Sequence, residues 1–196
     1  MEFDFERESN KPAVMKILIE IFIWAAQIGA VIFIAYFIVY YCVEKTNVIG
    51  HSMENTLDAD DTIIINKFTY LVSDPERFDV IVFKQSGKEH SYYNIKRIIG
   101  LPGETILIKD DKIYINGNII TDIVNVEPMI NYGLAEEEIT LEENEYFVLG
   151  DNRNNSEDSR FASIGNITRD EIIGKAALRL SPFNFISKLN LVESQD

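Results

Sequence analysis

The chain has 196 residues and a net charge of −14, with 32 acidic side chains against 18 basic ones and a single cysteine. That balance argues against a nucleic-acid partner, because phosphate contacts need clustered Lys and Arg, and one cysteine rules out an intramolecular disulfide. Once the N-terminus and the first apolar run are set aside, about 145 residues remain, enough for one globular domain with a sizeable core.

Residues 1–16 read as a polar N-terminal segment. From Ile21 to Val43 the sequence is IFIWAAQIGAVIFIAYFIVYYCV, with Gln27 its one strongly polar side chain. As a helix this run extends about 34 Å and crosses a hydrocarbon layer roughly 30 Å thick. A transmembrane helix is therefore expected over 17–44. A removable signal peptide fits less well, since its apolar core is about 7 to 15 residues and a small-x-small cleavage site follows it closely. Trp24 near one end and Tyr36, Tyr40 and Tyr41 near the other match the aromatic belts of the two interfaces. Arg7, Lys11 and Lys16 precede the run while Lys45 alone follows it closely. This bias places the N-terminus in the cytoplasm and residues 45–196 outside it, in a single-pass plasma-membrane protein. Cys42, inside the run, is no credible nucleophile.

After Lys45 short runs rich in Ile, Val, Phe and Tyr alternate with turn residues, which predicts a mainly β, antiparallel domain. Strands are expected at Thr62–Ile65, Asp79–Lys84, Tyr92–Ile99, Thr105–Lys109, Lys112–Ile115, Asn118–Ile120, Glu145–Leu149 and Ile173–Leu180. Asn116-Gly117 between two apolar triplets marks a two-residue hairpin, because both central positions of a type I′ turn need positive φ. Thr168-Arg169-Asp170-Glu171 has the form of a capping box, with little room for a helix before the β-rich run that follows. The acidic residues from Glu136 to Glu145 decorate a loop and a hairpin edge.

Ser52 stands nine residues past the apolar run and Lys96 a further 44 along. A histidine relay is poorly supported: His51 would point away from Ser52 on an extended chain, and His90 falls in a polar stretch. A lysine is the natural base if Ser52 is activated. A free amine titrates near 10.4, so a base working around pH 7 to 8 must be depressed by burial. Ile95, Ile98 and Ile99 surround Lys96 with hydrocarbon, and on a strand Ile98 shares its face.

Four segments in series resemble the bacterial type I signal peptidases, which cleave signal peptides with a serine and lysine dyad. Gly50-His51-Ser52-Met53-Glu54-Asn55-Thr56-Leu57 resembles the nucleophile box, and Arg77-Phe78-Asp79-Val80-Ile81-Val82-Phe83 the strand after it. Tyr93 to Glu104, containing Lys96-Arg97-Ile98-Ile99-Gly100-Leu101-Pro102-Gly103, resembles the lysine box, and Gly150-Asp151-Asn152-Arg153-Asn154-Asn155-Ser156-Glu157-Asp158-Ser159-Arg160 the last signature loop. The resemblance implies that Ser52 Oγ attacks the scissile carbonyl and Lys96 Nζ moves the proton. Ser156 would orient the lysine amine, Asp151, Arg153, Asp158 and Arg160 would brace the site, and the Ser52 N–H would bind the oxyanion. Two departures stand out. Asn55 replaces a proline common in the family, which should loosen the turn after Ser52, and Gly50 lacks the hydroxyl that some members add to the oxyanion hole.

The resemblance further implies a preprotein substrate with small residues one and three positions before the cut. An extended peptide would add a strand at an open edge, residues 48–51 or 93–95, with Met53, Ile81, Phe83 and Ile95 making shallow pockets. Phe68, Tyr70, Leu71 and Phe78 would either rest on lipid or pack in the core. No cofactor and no metal is expected: counted from Asp151, the third and twelfth positions are Arg153 and Ala162, so calcium-loop spacing fails. Two other readings remain open. One is an inactive or specialised relative in pilus assembly; the other is a serine and lysine autopeptidase, to which the membrane run and acidity are ill suited.

Overall fold

The computed structural model describes residues 11–85, 92–124 and 126–186, with side chains from Ala13 onward. Arg7 and His90 lie outside the described residues. The chain divides into two compact units, Met1–Tyr41 and Cys42–Asp196.

The first unit is a helix, α1 (Lys11–Phe37), continued by a π-helical turn over Ile38–Cys42. Its side chains are exposed apolar groups, Phe22 at 74% and Phe33 at 69%, and it is long and apolar enough to cross a membrane. Helical structure begins at Lys11, earlier than the apolar run, because the residues before Ile21 carry no Gly and Pro12 sits in the first turn, where its missing N–H costs no hydrogen bond. At the other end Val43 and Glu44 are already in a strand, paired with Asn66 and Ile65.

Among its described residues the second unit has twelve strands, paired antiparallel throughout: β1 (Val43–Asn47), β2 (Thr62–Asn66), β3 (Val80–Phe83), β4 (Asn94–Gly100), β5 (Thr105–Lys109), β6 (Lys112–Ile115), β7 (Asn118–Ile120), β8 (Ile139–Thr140), β9 (Glu145–Leu149), β10 (Ile167–Thr168), β11 (Ile172–Leu180) and β12 (Phe183–Phe185). The larger sheet runs β1-β2-β11-β3-β4-β9-β10, with β12 on β11; the smaller runs β7-β6-β5-β8. β3 is buried along its whole length, which explains its continuous apolar run in place of strict alternation, and β4 is buried after Asn94 although it carries Lys96 and Arg97. One face of the large sheet packs Val80, Val82 and Ile95 against Met53, Leu57, Ile63 and Ile65, and another cluster gathers Ile81, Phe83 and Ile98 with Tyr70, Tyr146 and Val148.

The expected hairpin forms, with Asn116 and Gly117 at φ 51° and 76° between Ile115 and its partner Asn118. Thr168 and Glu171 form the capping box of a single 3-10 turn, Arg169–Glu171, before β11. Four strands had no forecast: β8 and β10 are too short to show a period, and β1 (VEKTN) and β12 (FNF) lack a run of alternating apolar residues. Tyr70 and part of Phe78 join the core, whereas Phe68 and Leu71 are exposed.

Candidate active site

Ser52 lies in the excursion between β1 and β2. The excursion is closed at its base by Val48 N–H donating to Asp61 O at 2.8 Å and Asp60 N–H to Val48 O at 3.0 Å. Beyond Ser52 the chain coils, with Thr56 and Leu57 N–H both donating to Met53 O, at 2.9 and 2.7 Å. Met53 and Leu57 are 1% and 0% exposed. Burying two large apolar side chains, each worth roughly 1.5 to 3 kcal/mol, pins the half-buried serine above the core. Asn55 does not loosen this turn. It sits at φ 85°, a left-handed conformation that Asn tolerates and proline cannot adopt.

Lys96 projects from β4, where its cross-strand partner is the fully buried Ile81. Its Nζ is 2.7 Å from Ser52 Oγ, and the lysine is only 4% exposed. Burial pulls the amine down from 10.5 to about 8, against the opposing pull of the carboxylates of Asp158, Glu157 and Asp151. Desolvation wins because Asp158 and Asp151 are themselves neutralised by arginines. His51 is exposed and its Nδ1 pairs with Glu54 Oε1 at 2.5 Å, away from this bond.

The loop after β9 holds Ser52 in place. Asn152 N–H donates to Ser52 O at 3.0 Å and its Nδ2 to Glu54 Oε2 at 2.8 Å. Gly150 fits between the two halves of the site: a Cβ there would lie 2.2 Å from Ser156 Oγ and 2.5 Å from Ser52 O, so any side chain must displace them. Ser156 is thus brought beside Ser52, yet its buried Oγ has no hydrogen-bond partner among the described residues, Lys96 included.

Asp151, fully buried, accepts from Arg97 Nε at 2.8 Å and Nη2 at 2.7 Å and from Thr56 Oγ1 at 2.5 Å. This bidentate pair ties β4, the serine excursion and the β9 loop at one point. Arg97 Nη1 also donates to the carbonyl of Phe78, a residue held at φ 69°. Asp158 binds Arg160 through Nε at 2.8 Å and Nη2 at 2.9 Å and accepts from Gly150 N–H at 3.1 Å. Arg153 Nε donates to Gly150 O at 3.1 Å, and its Nη2 pairs with Asp122, outside the signature loop. Sequence reasoning assigned no role to Arg97, Thr56, Asn152 or Asp122. An arginine inside the apolar run Ile95–Ile99 was the available signal for Arg97, since such a group stays buried only with a partner.

The four side chains expected to line substrate pockets divide. Ile81 and Phe83 are fully buried on the same face as Lys96, Ile81 as its cross-strand partner, whereas Met53 and Ile95 pack together on the opposite face, Ile95 at 6% exposure. Ile95 lies where β4 has a free edge. β3 pairs with Asn94–Arg97 on one side, and β9 begins only at Arg97 on the other.

Residues 21–181 match the family described as signal peptidase, peptidase S26. The chain is 33% identical over 200 residues to a signal peptidase I of Bacillus amyloliquefaciens, covering 96% of this chain and 99% of that one. A probable signal peptidase I of Synechocystis sp. is 35% identical over 147 residues, 72% of this chain and 65% of that protein's length. A crystal structure of a signal peptidase I from Enterococcus faecalis aligns at a TM-score of 0.45 and 34% identity over 54% of this chain and 99% of that one.

Proposed function

This chain belongs to the signal peptidases of peptidase S26, and on that premise we propose that Ser52 and Lys96 are its nucleophile and general base. It is a peptidase that removes signal peptides from exported proteins, as its relatives over nearly their whole length are named for doing. The observation that carries the dyad is the 2.7 Å contact between a buried amine and a hydroxyl that keeps access to solvent.

With its pKa near 8, about one amine in ten is neutral at pH 7 and half are at pH 8. The neutral amine accepts the Ser52 proton as Oγ attacks the scissile carbonyl, then returns it to the departing amine, leaving an ester on Ser52 that water hydrolyses by the same route. The Ser52 N–H meets the charge developing on the carbonyl oxygen, and Gly50 adds no side-chain donor. The orphaned Ser156 hydroxyl, on the other side of Gly150 from the Ser52 carbonyl, is suited to steady the neutral amine. Asp151–Arg97 and Asp158–Arg160 keep the loops that carry these groups rigid.

The substrate pairs with the free edge of β4 before Lys96, its backbone forming ladder bonds and its alternate side chains meeting Ile95 and Met53. Those buried walls leave room for small side chains only. α1 anchors the enzyme in the plasma membrane with residues 45–196 outside the cytoplasm, so the preprotein is cut as it emerges.

The test is Ser52→Ala and Lys96→Ala, each assayed on a preprotein in membranes. Both should abolish processing, and retained cleavage by either variant refutes the dyad.

A further inference from the structure

A cavity of about 240 Å³ opens two residues beyond Ser52 in the chain, lined by Glu54 and Asn55 of the serine excursion, Asp151, Asn152, Arg153 and Asn154 of the loop after β9, and Glu127. None of the chemistry above uses it. We propose that this cavity is the subsite for the residues that follow the cut, and that Glu54 and Glu127 make it favour basic side chains over acidic ones. The proposal rests on the peptidase reading and adds to it where the leaving half of the substrate goes.

A substrate strand on the free edge of β4 occupies the same slot as β9, end to end with it, because β9 takes over that edge at the Arg97–Leu149 pair. The residues before the cut fill the open part of the slot beside Tyr93–Ile95. Those after the cut cannot continue along β4, since β9 already holds its hydrogen bonds there. They must turn out over the loop that leaves β9 at Gly150, and Asn152, Arg153 and Asn154 of that loop wall the cavity.

The walls suit a peptide. Arg153, one of the wall residues, has a buried Nη1 without a hydrogen-bond partner among the described residues. The formal charges of Asp151 and Arg153 are matched by Arg97 and Asp122, so neither biases the cavity strongly. Glu54 accepts from Asn152 and contacts His51. Glu127 is exposed, with no ion pair described for it. The surplus charge is negative, from two carboxylates on opposite sides of the opening.

The experiment uses the full-length enzyme in detergent and two fluorogenic peptides that share one leader half, with Lys or Glu at the second and third positions after the cut. Wild type should show a kcat/KM for the Lys peptide about two- to tenfold above that for the Glu peptide, the range expected of partly exposed charge pairs. The ratio should shrink as salt is raised. Glu127→Gln should lower the ratio and Glu127→Lys should invert it; each ratio is taken within one variant, so altered folding or expression cancels. Equal rates in wild type, or a ratio that Glu127→Lys leaves unchanged, overturns the proposal. If wild type cuts neither peptide, the peptidase reading itself falls and this one with it, an outcome distinct from cleavage without discrimination.

Discussion

Replacing Lys96 with methionine separates the cost of a buried amine from its use. The amine titrates near 8 here against 10.5 when free, and at about 1.4 kcal/mol per tenfold change in proton affinity the folded state is penalised by about 3 kcal/mol wherever both states are protonated. The sign follows from the lowered pKa. Below pH 8 both folded and unfolded chains carry the proton and the full penalty applies. Between pH 8 and 10.5 the unfolded chain binds more protons, so wild type gains stability, and above 10.5 the penalty is gone. Lys96→Met keeps the length and apolar stem without the charge, so it should be more stable than wild type by up to about 3 kcal/mol at pH 7, less the Ser52 hydrogen bond of about 1 kcal/mol. Denaturant unfolding of the two proteins at intervals from pH 6.5 to 11, followed by near-ultraviolet circular dichroism, measures the difference. It should close steadily above pH 8 while peptidase activity is lost at every pH. A variant less stable than wild type by the same amount at pH 7 and pH 11 would refute the claim that burial depresses this amine.

Wild-type kcat/KM on a neutral signal-peptide substrate should rise with pH through a midpoint near 8; a midpoint near 10 would mean that the amine is solvated during catalysis. Gly150→Ala should fold with Ser156 and Ser52 pushed apart, lowering kcat by about a hundredfold with a smaller change in KM, as expected for a misplaced reacting group. Asp151→Ala strands the Arg97 guanidinium in the core and should destabilise the fold by about 3 to 5 kcal/mol in denaturant unfolding. Asn55→Pro, closer to the family pattern, should lower the melting temperature because φ 85° is closed to proline, while Asn55→Gly should be nearly neutral.

Local chemistry made much of this protein legible from its residues in order. An apolar run long enough to span a bilayer reads as a helix wherever it occurs, Asn116-Gly117 can do little but turn, and runs such as Ile95–Ile99 have the periods of buried strands. The two reacting residues stood out because their surrounding segments resemble a family in type and spacing. The partners did not, because they are fixed by contacts between segments far apart in the chain. Arg97 meets Asp151 and Thr56 only when β4, the serine excursion and the β9 loop converge, and Arg153 reaches Asp122, outside the signature loop, while it also holds Gly150 within it. Ile81 and Phe83, apolar and next to the site in sequence, proved to be core because they pack on the Lys96 face among Ile98, Tyr146 and Val148, whereas the pleat puts Ile95 on the opposite face with Met53. Sequence thus determined which groups are present and how each short stretch bends. The depressed amine, the open edge and the cavity beyond the nucleophile belong to the tertiary structure, since burial, strand pairing and enclosure are properties of packed segments and no single segment has them alone.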